Sequence, residues 1–131
     1  MTERAETPFP ELPGLDERER SCLQRYLELL VEELGGNLVE VAVFGSVARG
    51  ESWPAGMPIR SDLDLLVVTD SAAPADTAAR LVDATLPLFL ESGRQTGPQF
   101  KTRTELESPT TEREARFLED VAREAVRIWE R

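Results

Sequence analysis

The 131-residue chain contains no histidine and a single cysteine, Cys22. Without histidine there is no Ser-His-Asp or Cys-His relay, no zinc site of the usual kind and no imidazole acid or base. One thiol excludes an internal disulfide framework. Cys22 sits among apolar residues at helical spacing and reads as a small core residue. Aromatics make up 6% of the chain. No apolar run approaches the ~18 residues of a membrane span, so no membrane association is expected. Positive charge is scarce: 15 basic residues face 25 acidic ones, a net charge of −10. Phosphate neutralisation dominates nucleic-acid affinity, so direct nonspecific DNA or RNA binding is not expected, whereas a basic protein partner suits this charge. Any chemistry must run on carboxylates, hydroxyls, arginines or a hard metal ion.

The opening stretch MTERAETPFPELPG is polar, is broken by Pro8, Pro10 and Pro13, and lacks the basic-then-apolar layout of a secretory signal. Cytoplasmic residence is the expectation. Residues 1–14 read as a flexible lead-in and residues 15–131 as one domain, long enough to bury a core unaided.

Hydrophobic periodicity predicts a helix over 16–34, with Asp16 as its cap, Leu23, Leu27, Leu30 and Leu34 on one stripe, and Gly35 and Gly36 as its stop. NLVEVAVF alternates, with Val39, Val41 and Val43 on one side, and predicts a first strand. GSVARG reads as a turn entering a short helical segment, and ESWPAGMPI as a loop. DLDLLVV predicts a second strand. A helix is expected from about Pro74, kinked or broken at Pro87. PQFKTRTEL predicts a third strand, and SPTTEREARFLEDVAREAVRIWER a closing helix with Phe117, Val121 and Ile128 on one face. The order α, β, short α, β, α, β, α implies an α/β (α+β) fold, a small mixed sheet with helices packed on it. The short link between the first two strands favours antiparallel pairing.

The chemistry concentrates between Val43 and Val68, in VFGSVARGESWPAGMPIRSDLDLLVV. Asp62 and Asp64 are two apart on a strand, so both side chains share a face, with Cα atoms roughly 6.6 Å apart. Like charges this close raise one another's proton affinity unless a cation lies between them. A hard divalent ion with oxygen ligands is the natural neutraliser, and such carboxylate pairs support phosphoryl and nucleotidyl transfer. Upstream, Gly45-Ser46 ends a strand and opens a turn, offering backbone N–H groups and a hydroxyl to phosphate. Arg49 can reach a phosphate oxygen or tie the turn to a nearby carboxylate. Phosphate donors at one end and a cation site at the other suggest a nucleoside triphosphate with Mg2+.

FGSVARG followed by SDLDLLVV resembles the nucleotidyltransferase superfamily that includes DNA polymerase β, and within it the stand-alone minimal nucleotidyltransferases, over residues 23–131. The resemblance implies that Gly45 and Ser46, with Arg49 and Ser61 beside them, hold the triphosphate of ATP. It implies that Asp62 and Asp64 are the catalytic pair and the Mg2+ ligands. Several members are antitoxins that pair with basic, helical HEPN-type toxins, and active ones transfer AMP to a toxin tyrosine.

Two features depart from that pattern. The gap from Gly50 to Asp62 is long; its loop either shapes a nucleotide pocket, with Trp53 stacking on a base, or packs elsewhere. Active members also carry a third carboxylate on a later strand, where this chain has QFKTRTELE. Glu105 at that strand's end is the candidate third metal ligand, or a solvated terminus, and Lys101 or Arg103 can contact phosphate instead. Three readings follow: an AMP-transferring enzyme acting on a hydroxyl of a partner protein, an inactive module that masks a toxin by contact, and a small-molecule modifier, which would need a further acceptor domain.

Overall fold

The computed structural model describes residues 8–50 and 61–131. Helix α1 (Glu17–Leu34) begins with a reciprocal capping box: the Asp16 side chain accepts the Glu19 N–H at 2.7 Å, and Glu19 accepts the Asp16 N–H at 2.8 Å. Gly35, at φ +52°, ends the helix, and a 3-10 turn (Gly35–Asn37) leads into β1 (Leu38–Phe44). Strand β2 is Leu63–Thr69. Helices α2 (Ala75–Asp83) and α3 (Thr85–Ser92) follow, then β3 (Thr96–Thr102), α4 (Arg103–Glu107), α5 (Glu112–Glu124) and β4 (Val126–Glu130). The sheet runs β3-β2-β1-β4, with β1 antiparallel to both its neighbours and β2 parallel to β3. The mixed α/β sheet and the antiparallel first pair match the sequence reading. Pro87 falls in the first turn of α3, where its missing N–H leaves no helical bond unmade, and the helix breaks just before it.

The sheet separates two cores. Leu65, Val67, Val41 and Val43 point toward α1, where Leu23, Leu27, Leu30 and Tyr26 meet them. The buried Tyr26 hydroxyl donates to Leu81 O at 2.7 Å, and burial pushes the phenol's pKa up. On the other face, Phe44, Leu66 and Val68 pack against Val121 of α5, with Phe117 edge-on to Phe44 at 5.6 Å. A groove of about 330 Å3 under α5, lined by Ala42, Leu66, Leu106 and Ala125 among others, includes neither Asp62 nor Asp64.

Five expectations need correction. The alternation through Val39 is interrupted by a bulge between Leu38 and Glu40, so Leu38 joins the α1 core while Val39 packs on the α5 face. GSVARG forms a single turn and no assigned helix, with the Arg49 N–H on Gly45 O at 3.1 Å. The third strand stops at Thr102, because Thr102 and Glu105 build a second capping box that opens α4. The closing helix ends at Glu124, and Val126–Glu130 becomes a strand that covers the free edge of β1. The lead-in is packed over residues 8–14: Phe9 and Leu12 are buried in the core, and the Arg20 guanidinium donates to the carbonyls of Pro8, Phe9, Leu12 and Leu15. The loop ESWPAGMPI and Trp53 lie outside the described residues. Among the described residues no helix is long and apolar enough to cross a membrane.

Because Leu12 is fully buried, Leu12→Ala should destabilise the fold by about 2–5 kcal/mol in chemical denaturation. A change within a few tenths of a kcal/mol would show that the lead-in is not part of the core.

Candidate functional site

Antiparallel pairing brings the two halves of the sequence motif together. Phe44, the last residue of β1, lies opposite Asp64 near the start of β2. The turn that follows Phe44 therefore folds over the Asp64 carboxylate. Gly45 adopts φ +79°, and a Cβ there would stand 2.5 Å from Asp64 Oδ2. A side chain at 45 would meet both a left-handed backbone penalty and the acid itself. On the other side, Asp64 pairs with Gly97 of β3, whose Cβ would lie 3.6 Å from Asp64 Oδ1. Asp64 thus sits between two glycines, half-buried, while Asp62 is exposed. Burial raises the Asp64 pKa, the Asp62 and Glu124 charges raise it further, and Arg49 opposes them.

Ser61, immediately before Asp62, is pinned from beneath. Arg94 Nη1 donates to Ser61 O at 2.6 Å and Ser61 Oγ at 3.2 Å, and the Leu63 N–H reaches Gln95 O at 2.8 Å. Arg94 Nε binds Glu19 Oε2 at 2.7 Å, with both side chains 1% exposed. Glu19 therefore joins the helix cap to the aspartate strand through one carboxylate. The sequence reading missed this pair; Glu19 is visible there only as a capping-box acid.

Gly45, Ser46, Arg49, Ser61, Asp62 and Asp64 all come to one end of the sheet. Arg49 takes the second of its two expected roles, holding Glu124 Oε2 at 2.9 Å. Glu105 does not join them. Strand β3 runs parallel to β2 from Gly97 opposite Asp64 to Thr102 opposite Thr69, so Glu105 lies beyond the far end of the sheet, roughly 16 Å along the strand. Its carboxylate accepts the Thr102 N–H at 3.0 Å, which lowers its pKa. Lys101 and Arg103 are at that far end too, paired with Glu114 and Asp70. The β3 position next to Asp64 is Gly97, which offers no third carboxylate. Among the described residues no three acids, cysteines or histidines gather into a metal-holding group. Glu124, at the end of α5, is the acid the sequence reading missed. Only its contact with Gly45 and Arg49 brings it to the site, and those depend on β4.

A nucleotidyltransferase domain family matches residues 23–123. The chain belongs to that family. No curated protein sequence matches it. A solved structure described as a minimal nucleotidyltransferase is 33% identical, covering 82% of this chain and 89% of its own, at TM-score 0.50. A nucleotidyltransferase structure from Sulfolobus solfataricus covers 100% of this chain and 94% of its own at 18% identity and TM-score 0.50. A toxin–antitoxin crystal structure with AMP-PNP covers 82% and 73%, at 15% identity and TM-score 0.54. The latter two likenesses are of fold.

The buried Arg94–Glu19 pair should be costly to break from one side. Arg94→Met leaves the buried Glu19 carboxylate without its guanidinium and should lose about 3–5 kcal/mol, while adding Glu19→Leu should recover part of it. Equal losses in the single and double variants would refute the coupling. A second outcome concerns pH. The folded chain holds the Asp64 proton more tightly than the unfolded chain, so its contribution to stability declines as pH climbs from the ordinary aspartate range through the raised value. In chelator, Asp64→Asn should therefore melt higher than wild type at neutral pH and equally at pH below that range. An unchanged or lower neutral-pH melting temperature would contradict the assignment.

Proposed function

We propose that this nucleotidyltransferase domain transfers AMP from ATP to a hydroxyl of a partner protein, with Mg2+, in an antitoxin-like role in the cytoplasm. The observation that carries the reading is the contact of the Gly45 turn with Asp64, which sets phosphate donors against an acidic pair. A divalent cation fits the donor set: the Asp62 and Asp64 carboxylates offer hard oxygen ligands, and burial and the Asp62 charge already disfavour the ionised form of Asp64. Asp62 and Asp64 would hold it, and when bound it neutralises charge on the triphosphate.

The residues then divide the work. Gly45 and Ser46 orient the phosphates, and Arg49 offers a guanidinium to them. Ser61, fixed by Arg94, sets the register of Asp62 and Asp64. The acceptor oxygen bonds to the α-phosphorus while the bond to pyrophosphate breaks. The acceptor hydroxyl gives up its proton near the cation, to Asp64 or another carboxylate of the site acting as base. Support for the nucleotide and the partner comes from the toxin–antitoxin relative that binds AMP-PNP. A net charge of −10 favours a basic, HEPN-type toxin as that partner.

One observation favours a second reading. Gly97 stands beside Asp64 where a third acid would complete the metal set, so a binding module with little turnover, masking a toxin by contact, is the alternative.

The two separate in one experiment: ATP labelled at the α-phosphate, Mg2+ and the product of the gene next to the one that encodes this chain. Label should appear on that protein and fall about 100-fold or more with Asp62→Asn plus Asp64→Asn. Complex formation that survives those changes, with no label transferred by wild type, establishes the binding module instead.

A further inference from the structure

The carboxylate of Glu124 occupies donors that a phosphate would use. Its Oε1 accepts the Gly45 N–H at 3.1 Å, and its Oε2 meets Arg49 Nη1 at 2.9 Å. A planar anion that bridges a backbone N–H and a guanidinium has the same recognition as two oxygens of one phosphate. Register fixes the placement. Strands β1 and β4 run antiparallel with Val43 opposite Val126. The residue two beyond Val43 therefore meets the residue two before Val126, which are Gly45 and Glu124. Val121, one turn earlier on α5, is buried against the sheet and anchors this end of the helix. The Glu124 side chain is 21% exposed, so water screens the contact less than it screens an open surface pair.

We propose that Glu124 is a built-in occupant of the Gly45–Arg49 anion cradle, which an incoming nucleoside triphosphate must displace. This rests on the nucleotide-binding reading above and adds the regulation of that site. Carboxylate and phosphate compete for the same two donors, so the affinity for triphosphate is lowered by whatever the internal contact contributes. A charge-assisted contact of this kind corresponds to roughly tenfold in affinity. Glu124 also adds negative charge beside Asp64, and repulsion alone would weaken nucleotide binding too. Shortening the side chain by one methylene separates the two effects, because Glu124→Asp keeps the charge and withdraws the carboxylate.

Titration calorimetry of Mg-ATP into the full chain tests this, with wild type, Glu124→Ala, Glu124→Asp and the control Asp120→Asn, an exposed acid one turn earlier on α5. Displacement predicts about tenfold tighter binding for both Glu124 variants and a change within about twofold for Asp120→Asn. Tightening with alanine but not aspartate means bulk repulsion and overturns the proposal. If wild type binds and neither Glu124 variant binds tighter, the proposal falls while the nucleotide reading stands. If no form binds Mg-ATP, the nucleotide reading fails and this inference goes with it. A second readout needs no nucleotide: the Gly45 amide proton should shift upfield in Glu124→Ala, and an unmoved resonance refutes the contact.

Discussion

The register of β1 with its two antiparallel partners governs everything at this end of the molecule. Phe44 opposite Asp64 brings the glycine turn onto the acidic strand, and Val43 opposite Val126 brings the end of α5 onto the same turn. Each strand pair is fixed by its own apolar face. Val41 and Val43 are buried toward α1, and Phe44 is buried toward α5. A slip by one residue would turn each of these side chains to the opposite face, so the position of the acids follows from the burial of the valines. Packing and site geometry are one constraint.

The price of that arrangement is electrostatic. The charges of Asp62 and Glu124 both act on Asp64, and Arg49 opposes them. An ordinary strand end would place such acids apart. Here the backbone holds Asp64 between Gly45 and Gly97, and Arg94, paired with Glu19, holds Ser61 just ahead of the acids. Cohesion comes from elsewhere: the dense leucine and valine core under α1, reinforced by the Arg20 guanidinium on three carbonyls of the lead-in and that of Leu15.

Much of this was legible in the residues. The capping acid and leucine stripe of α1, the positions of β1 and β2 and the antiparallel pairing of those two strands follow from local patterns that tertiary contacts did not override. The failures have specific causes. Val126 and Ile128 satisfy a two-residue period as well as a helical one, and a five-residue segment cannot decide between them; the uncovered edge of β1 decides. Thr102 and Glu105 carry a visible capping-box spacing that was read as strand, which misplaced Glu105 as a metal ligand. Phe9 and Leu12 lie among prolines, and only the buried Arg20 reveals that they fold inward. Glu124 has no local signature at all. Its role depends on β4, so an error in one short strand concealed it.

Gly97 differs from Gly45 in one respect that bears on what can stand beside Asp64. Its backbone is free of left-handed strain, and a methyl there meets Asp64 only at ordinary van der Waals separation. The vacancy beside the acidic pair is therefore a matter of sequence and not of space. A side chain at Gly97 meets no barrier from the backbone there, whereas one at Gly45 meets both the left-handed φ and the Asp64 carboxylate.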